Sequence, residues 1–214
     1  MAILLYVTIT LACTVYVHAQ SKYCCTPQQW ESVNMLIDGR DTAGNATKPL
    51  LTQGYEQVSV DGVNHKIASL STLTTSSGFN ITVQVIQLYD KGIMYTVEDG
   101  ECKHSALPAW TPRCVPDDAK LLTKYSLGQG SVHVDVDVYS VTVGPNTVFL
   151  NIASADCTPI YQTAYGSAAG VSALSMKTYS NFTLGIKDPI VFNVPSICNN
   201  ATYLQKLPHL HPLH

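Results

Sequence analysis

Between positions 132 and 138 apolar and polar residues alternate without a break. Val132, Val134, Val136 and Val138 are separated by His133, Asp135 and Asp137. A period of two puts one set of side chains on a buried face and the other in water, which predicts a half-buried strand. Phe79, Ile81, Val83 and Val85 alternate with Asn80, Thr82 and Gln84 in the same way. Turn residues punctuate the apolar runs. Gly144-Pro145-Asn146 separates Tyr139–Val143 from Thr147–Ile152, Asp61-Gly62 separates Gln57–Val60 from Val63–Ile67, and Asp90-Lys91-Gly92 separates Val85–Tyr89 from Ile93–Val97. Each predicts a hairpin. Three prolines between Pro108 and Pro116 predict an irregular connection. Helical signal is thin: short helices are expected at Ala168–Tyr179 and Ser196–Leu207. Many strands with regular turns and no internal repeat predict a mostly β fold, an antiparallel sandwich or open barrel.

The N-terminus has a different character. Ile3–Val17 is apolar apart from Thr8, Thr10 and Thr14, and it runs into Val17-His18-Ala19. An apolar h-region of about 15 residues followed by a small-residue site is the pattern of a secretory signal peptide, and it falls short of the ~20 residues a bilayer-spanning helix needs. Residues 1–19 are therefore expected to be removed on export. Residues 20–207 are expected to form one domain, with a flexible His/Pro tail at 208–214. Charged residues make up only 13% of the chain, and the net charge of −3 comes with no basic patch, which argues against nucleic-acid binding.

Export changes how the cysteines read. Cys13 lies in the leader, leaving Cys24, Cys25, Cys102, Cys114, Cys157 and Cys198. An even number in an exported chain predicts three disulfides with fifteen pairings open. No Cys-x2-Cys or Cys/His spacing suggests zinc. Adjacent cysteines such as Cys24 and Cys25 rarely bond each other, so each is expected to reach a different part of the fold. Asn45, Asn80, Asn181 and Asn200 open Asn-x-Thr sequons without an intervening proline, and each is a candidate glycan acceptor.

Three strings carry a resemblance. Cys24-Cys-Thr-Pro-Gln-Gln-Trp30-Glu31, Leu88-Tyr-Asp-Lys-Gly-Ile-Met-Tyr95, and Leu184-Gly-Ile-Lys-Asp-Pro189-Ile-Val-Phe192 followed by Pro195-Ser196-Ile197-Cys198 resemble the opening, central hairpin and C-terminal signature of the ependymin-related proteins. The resemblance implies two stacked antiparallel sheets forming a curved, half-open barrel around a hydrophobic pocket. It also implies disulfides from Cys24 to Cys157 and from Cys102 to Cys198. The family's usual remaining bridge is not matched here, and arithmetic alone leaves Cys25 to Cys114. Lys187-Asp188-Pro189 reads as structural, with Asp188 capping a turn.

Three functional classes follow. The first is a secreted carrier or sensor of an apolar small molecule, a lipid or fatty acid. Its pocket is expected to be lined by residues such as Ile81, Val83, Val85, Val134, Val136, Phe149 and Ile152. The second, implied by the resemblance, is a calcium-responsive extracellular-matrix or cell-adhesion component, including calcified matrix. Asp135 and Asp137 on one strand face are the candidate ligands and Asp117-Asp118 a further acidic pair, though neither has EF-hand spacing. The third is an enzyme. No Gly-x-Ser-x-Gly, His-Glu-x-x-His or phosphate loop occurs, so binding rather than catalysis is expected, with no cofactor other than calcium. His65, His104 and His133 stand alone, and His209, His211 and His214 fall in the tail. By family analogy a homodimer is also expected.

Overall fold

The structure, a computed structural model, describes residues 24–42, 50–168 and 171–204. The expected leader, the sequon at Asn45 and the His/Pro tail lie outside the described residues. Twelve strands form the sheet: β1 (Gln29–Thr42), β2 (Leu50–Asp61), β3 (Lys66–Thr75), β4 (Asn80–Leu88), β5 (Ile93–Glu98), β6 (Glu101–Ala106), β7 (Lys120–Gln129), β8 (Val132–Val143), β9 (Asn146–Ala153), β10 (Pro159–Ala168), β11 (Val171–Leu184) and β12 (Thr202–Tyr203). Their spatial order is β12-β6-β5-β4-β3-β2-β1-β11-β10-β9-β8-β7. Every pairing is antiparallel except β12 with β6.

Two meanders, β2–β6 and β7–β11, meet where the long strands β1 and β11 pair from Trp30↔Leu184 to Thr42↔Val171. The mostly β, half-open architecture thus arises from one sheet that does not close. The two expected layers are its two halves, continuous through the β1–β11 ladder. Strands β3 and β8 are six steps apart in the sheet, which flat spacing would put roughly 29 Å apart. Residues of both nevertheless line one cavity, so the sheet must curl. Register shifts at Glu31/Val33, Pro159/Tyr161 and Leu121/Thr123 supply local bends, because an extra residue on one strand increases twist.

The predicted hairpins form where turn chemistry allows. Gly92 takes φ 65° after the short 3-10 turn Tyr89–Lys91, and Gly144 takes φ 58° between β8 and β9, left-handed conformations that glycine adopts without steric cost. The described part of Ala168–Tyr179 is strand rather than helix. Most of it lies in β11, with antiparallel partners on both sides, and those ladders satisfy the backbone better than an isolated helical turn could. Within Ser196–Leu207, Ser196–Asn200 is a 3-10 turn. Asp188 accepts a hydrogen bond from the Ile190 N–H (2.9 Å) and caps the 3-10 turn Pro189–Phe192.

Side-chain alternation assigns the two faces. Trp30, Val58, Val60 and Ile67 form one buried cluster, against which Tyr89, Trp110, Tyr179 and Phe182 pack. Val141, Val148 and Ala164 form a second, in the other half of the sheet. The C-terminal segment covers the opposite face. Cys102 pairs with Val97, which lies beside Gln84 and then Leu70, out of phase with Ile67, and Cys198 bonds Cys102 there.

Candidate ligand-binding cavity

A cavity of about 360 Å³ lies between the two clusters. Trp30 of β1, Val58 and Val60 of β2 and Ile67 of β3 form one apolar wall. Val141 and Val143 of β8 with Val148, Leu150 and Ile152 of β9 form the other. The volume is within the ~300–1,000 Å³ of small-molecule sites.

Alternation decides which predicted residues reach it. Ile152 does. Val134, Val136 and Phe149 are out of phase with Val141 and Val148 on the same strands and face away from the cavity. Val132 and Val134 are 81% and 43% exposed, whereas Val136 is fully buried on that far face. Ile81, Val83 and Val85 share the cavity's face through their partners Leu73, Ser71 and Ser69, but they sit further along β4 and are not part of the lining.

The floor is polar, which hydrophobic patterning did not reveal. Register puts Asn34 of β1 between Glu56 of β2 and Tyr179 of β11. Ser32 Oγ donates to Asn34 Oδ1 (2.8 Å), and Asn34 Nδ2 donates to Glu56 Oε2 (3.0 Å). Lys177 Nζ lies 2.8 Å from the same Glu56 oxygen, in a pair that is almost wholly buried. The Tyr179 hydroxyl donates to Gln162 Oε1 (3.4 Å). Burial pushes the Tyr179 phenol above its ordinary value; Glu56 adds to that rise, while Lys177 and Arg113 oppose it. Asn34, Lys177, Tyr179 and Gln162 all line the cavity.

One end is built by the proline-rich segment and the disulfides. Cys24 is bonded to Cys157, Cys25 to Cys114 and Cys102 to Cys198. The adjacent pair Cys24-Cys25 therefore clamps the N-terminal segment, the strap at 107–119 and the β9–β10 turn together. Thr26 N–H donates to Arg113 O (2.9 Å) and Val115 N–H to Cys24 O (2.8 Å), so the strap also pairs with the N-terminal segment. Trp110 stacks on His65 and meets Tyr89 edge-on, with ring centroids 5.3 and 4.9 Å apart. His65 Nδ1 is 2.8 Å from Asp90. The Arg113 guanidinium lies 5.9 Å from the Trp110 ring. Burial draws the Arg113 pKa down, against the opposing influence of Tyr89 and Tyr179.

The acidic candidates on β8 are in phase with Val141 but are not part of the lining. Asp135 accepts from Ser126 Oγ (2.6 Å). Asp137, on the same strand face, is held by Ser154 Oγ (2.5 Å) and Lys124 Nζ (3.1 Å). Burial works against the charged form of Asp137, but the Ser154 and Lys124 hydrogen bonds outweigh it, and its carboxyl lies below the ordinary 3.8. Among the described residues no group of three or more His, Cys, Asp or Glu is placed to hold a metal ion. Asn80, Asn181 and Asn200 are all exposed. Among the described residues no helix is long and apolar enough to cross a membrane.

The chain is similar to mammalian ependymin-related protein 1 of Mus musculus, 27% identical over 184 residues that cover 83% of this chain and 77% of that protein. It is also similar to ependymin-related protein 2 of Haliotis asinina, 28% identical over 208 residues that cover 91% and 98%. Among solved structures, a LolA superfamily protein from Nitrosomonas europaea aligns with 80% of this chain and 93% of its own at 13% identity. The TM-score is 0.30. The Ependymin family model matches residues 78–198, more than half of the sequence, and the chain belongs to the ependymin family.

Proposed function

We propose that this protein is a secreted, N-glycosylated carrier or sensor that holds an apolar ligand, a lipid or fatty acid, between the two halves of its sheet, and that it acts by binding rather than catalysis. The observation that carries this reading is the cavity of about 360 Å³, with aliphatic and aromatic side chains from β1–β3 facing those from β8 and β9. Burying a methylene there contributes about 0.8 kcal/mol, so an acyl chain binds through length alone. Three disulfides and exposed sequon asparagines suit the extracellular space.

Native mass spectrometry of the secreted, enzymatically deglycosylated protein tests the reading. The expected result is a co-purifying lipid that is lost on delipidation and regained on titration. A protein that neither carries nor regains lipid, but shifts its mass or oligomeric state with calcium, would overturn it. The competing reading, a calcium-responsive matrix or adhesion component, would then stand.

A further inference from the structure

The cavity wall holds two cations with different surroundings. Lys177 is neutralised by Glu56 at 2.8 Å, and Asn34 donates to the same carboxylate. Arg113 is only partly exposed and, among the described residues, has no carboxylate within salt-bridge distance. Its Nε is enclosed and lacks a hydrogen-bond partner, as is the Trp30 Nε1 across the cavity lining. A third such atom, Thr183 Oγ1, belongs to a residue outside the lining. The two orphaned groups on the lining are thus both N–H donors, and one carries an unneutralised charge. A buried donor left unmade costs free energy that a suitable acceptor would recover.

The guanidinium is also held in place. Cys114 is bonded to Cys25, the Arg113 carbonyl accepts from Thr26 N–H, and Trp110 lies beside the side chain. A planar fork fixed in advance suits an oxyanion, because both N–H bonds form without further ordering.

We propose that Arg113 is the head-group anchor of the cavity and that the ligand is an anionic amphiphile. Its carboxylate or phosphate is received by the guanidinium, and its chain lies against Trp30, Val58, Val60, Ile67, Val148 and Ile152. This rests on the cavity being the site of an apolar chain. It adds that the site selects for negative charge. Lys177, already paired, takes no part in that selection.

The test is calorimetric titration of the delipidated full chain with sodium oleate, oleyl alcohol and oleoyl lysophosphatidic acid. The anions are expected to bind at least about tenfold tighter than the alcohol, the factor a charge-assisted hydrogen bond supplies. Arg113→Gln should abolish that preference while leaving the alcohol's affinity within about twofold, and Arg113→Lys should restore part of it. Intact mass and the urea midpoint check that each variant is folded with three disulfides. If phosphate binds tighter than carboxylate, the head is a phosphate; the reverse order makes it a carboxylate. Equal wild-type affinity for oleate and the alcohol overturns the anchor and leaves the carrier reading intact, as does an unchanged preference in Arg113→Gln. Failure of all three probes to bind overturns both.

Discussion

Removing the Cys25–Cys114 bridge by a double serine substitution should destabilise the protein by about 4 kcal/mol, and the reason lies in how the bridges are nested. Along the chain this bridge closes a loop of 89 residues. Cys24, its immediate neighbour, remains tied to Cys157. In the unfolded chain the shorter route between the two positions runs through that second bridge, a path of roughly 44 residues. Loop-closure entropy grows as the logarithm of length, so the shorter path lowers the stabilisation only from about 4.6 to about 4 kcal/mol. The assay is equilibrium urea unfolding with both remaining disulfides confirmed by intact mass. The midpoint should fall, and the m-value should rise because the unfolded chain is less constrained. In a thermal scan the same loss corresponds to a drop of about 8–16 °C. A loss under about 1 kcal/mol with the other bridges intact would refute the entropic argument. It would mean that the strap's packing, not the cross-link, holds it to the N-terminal segment.

Other expectations are checked by similar means. Glu56→Gln should cost about 3–5 kcal/mol in urea unfolding, because it leaves Lys177 unpaired in a buried site, whereas the double change Glu56→Leu/Lys177→Met should cost less, about 1–3 kcal/mol, for the buried Asn34 amide that loses its acceptor. On the acid side, Asp61 and Asp137 titrate below 3.8. For Asp61 burial opposes the shift, and hydrogen bonds from Asn64 and Gln29 outweigh it. Their contribution is present above the ordinary value and is lost as pH falls through the folded values, so Asp137→Asn should flatten the acid limb of stability against pH. On the alkaline side, burial raises Tyr89 and Tyr179 above 10.0. Their contribution is present below that value and is lost as pH rises through the folded values, so Tyr179→Phe should flatten the alkaline limb in the same measurement.

Period-two alternation marks strands but not which face is inward. Val132–Val138 alternates cleanly, yet these valines turn away from the cavity, and Asp137, in phase with Val141, lies on the cavity side. Period-two patterning says that one face differs from the other, not which face curls inward. Curvature was missing from the pattern because it arises from long-range pairing of β1 with β11 and from register shifts. The same pairing turned a stretch read as helical into a strand. The polar floor escaped for a related reason. Asn34, Glu56 and Lys177 come from three strands far apart in sequence, and each alone reads as a solvated position. Arg113 carried one signal that could have been used, a basic residue beside a cysteine in a proline-rich connection, where the backbone is fixed but belongs to no strand.

The fold also explains why the two apolar walls stay apart. A single curled sheet brings two apolar faces together only as far as its curvature allows, and the wall residues are largely valine, isoleucine and leucine, which do not span the gap. Collapse would have to bury Glu56–Lys177 and Arg113 still deeper, and moving charges out of water is expensive unless each is matched. The matched pair tolerates the floor position; the unmatched guanidinium does not become cheaper by burial. The two bridges that start at Cys24 and Cys25 hold the strap and the β9–β10 turn at the same end, so Arg113 cannot easily swing out to full solvation. The site is therefore held open beside an unmatched donor, and on the proposed reading a chain with an anionic head would meet both conditions at once. Arg113→Met should therefore raise the unfolding midpoint of the delipidated protein while weakening oleate binding. If the substitution lowered the midpoint and left oleate binding unchanged, Arg113 would be a packing residue and the charge on the wall would have no role in recognition.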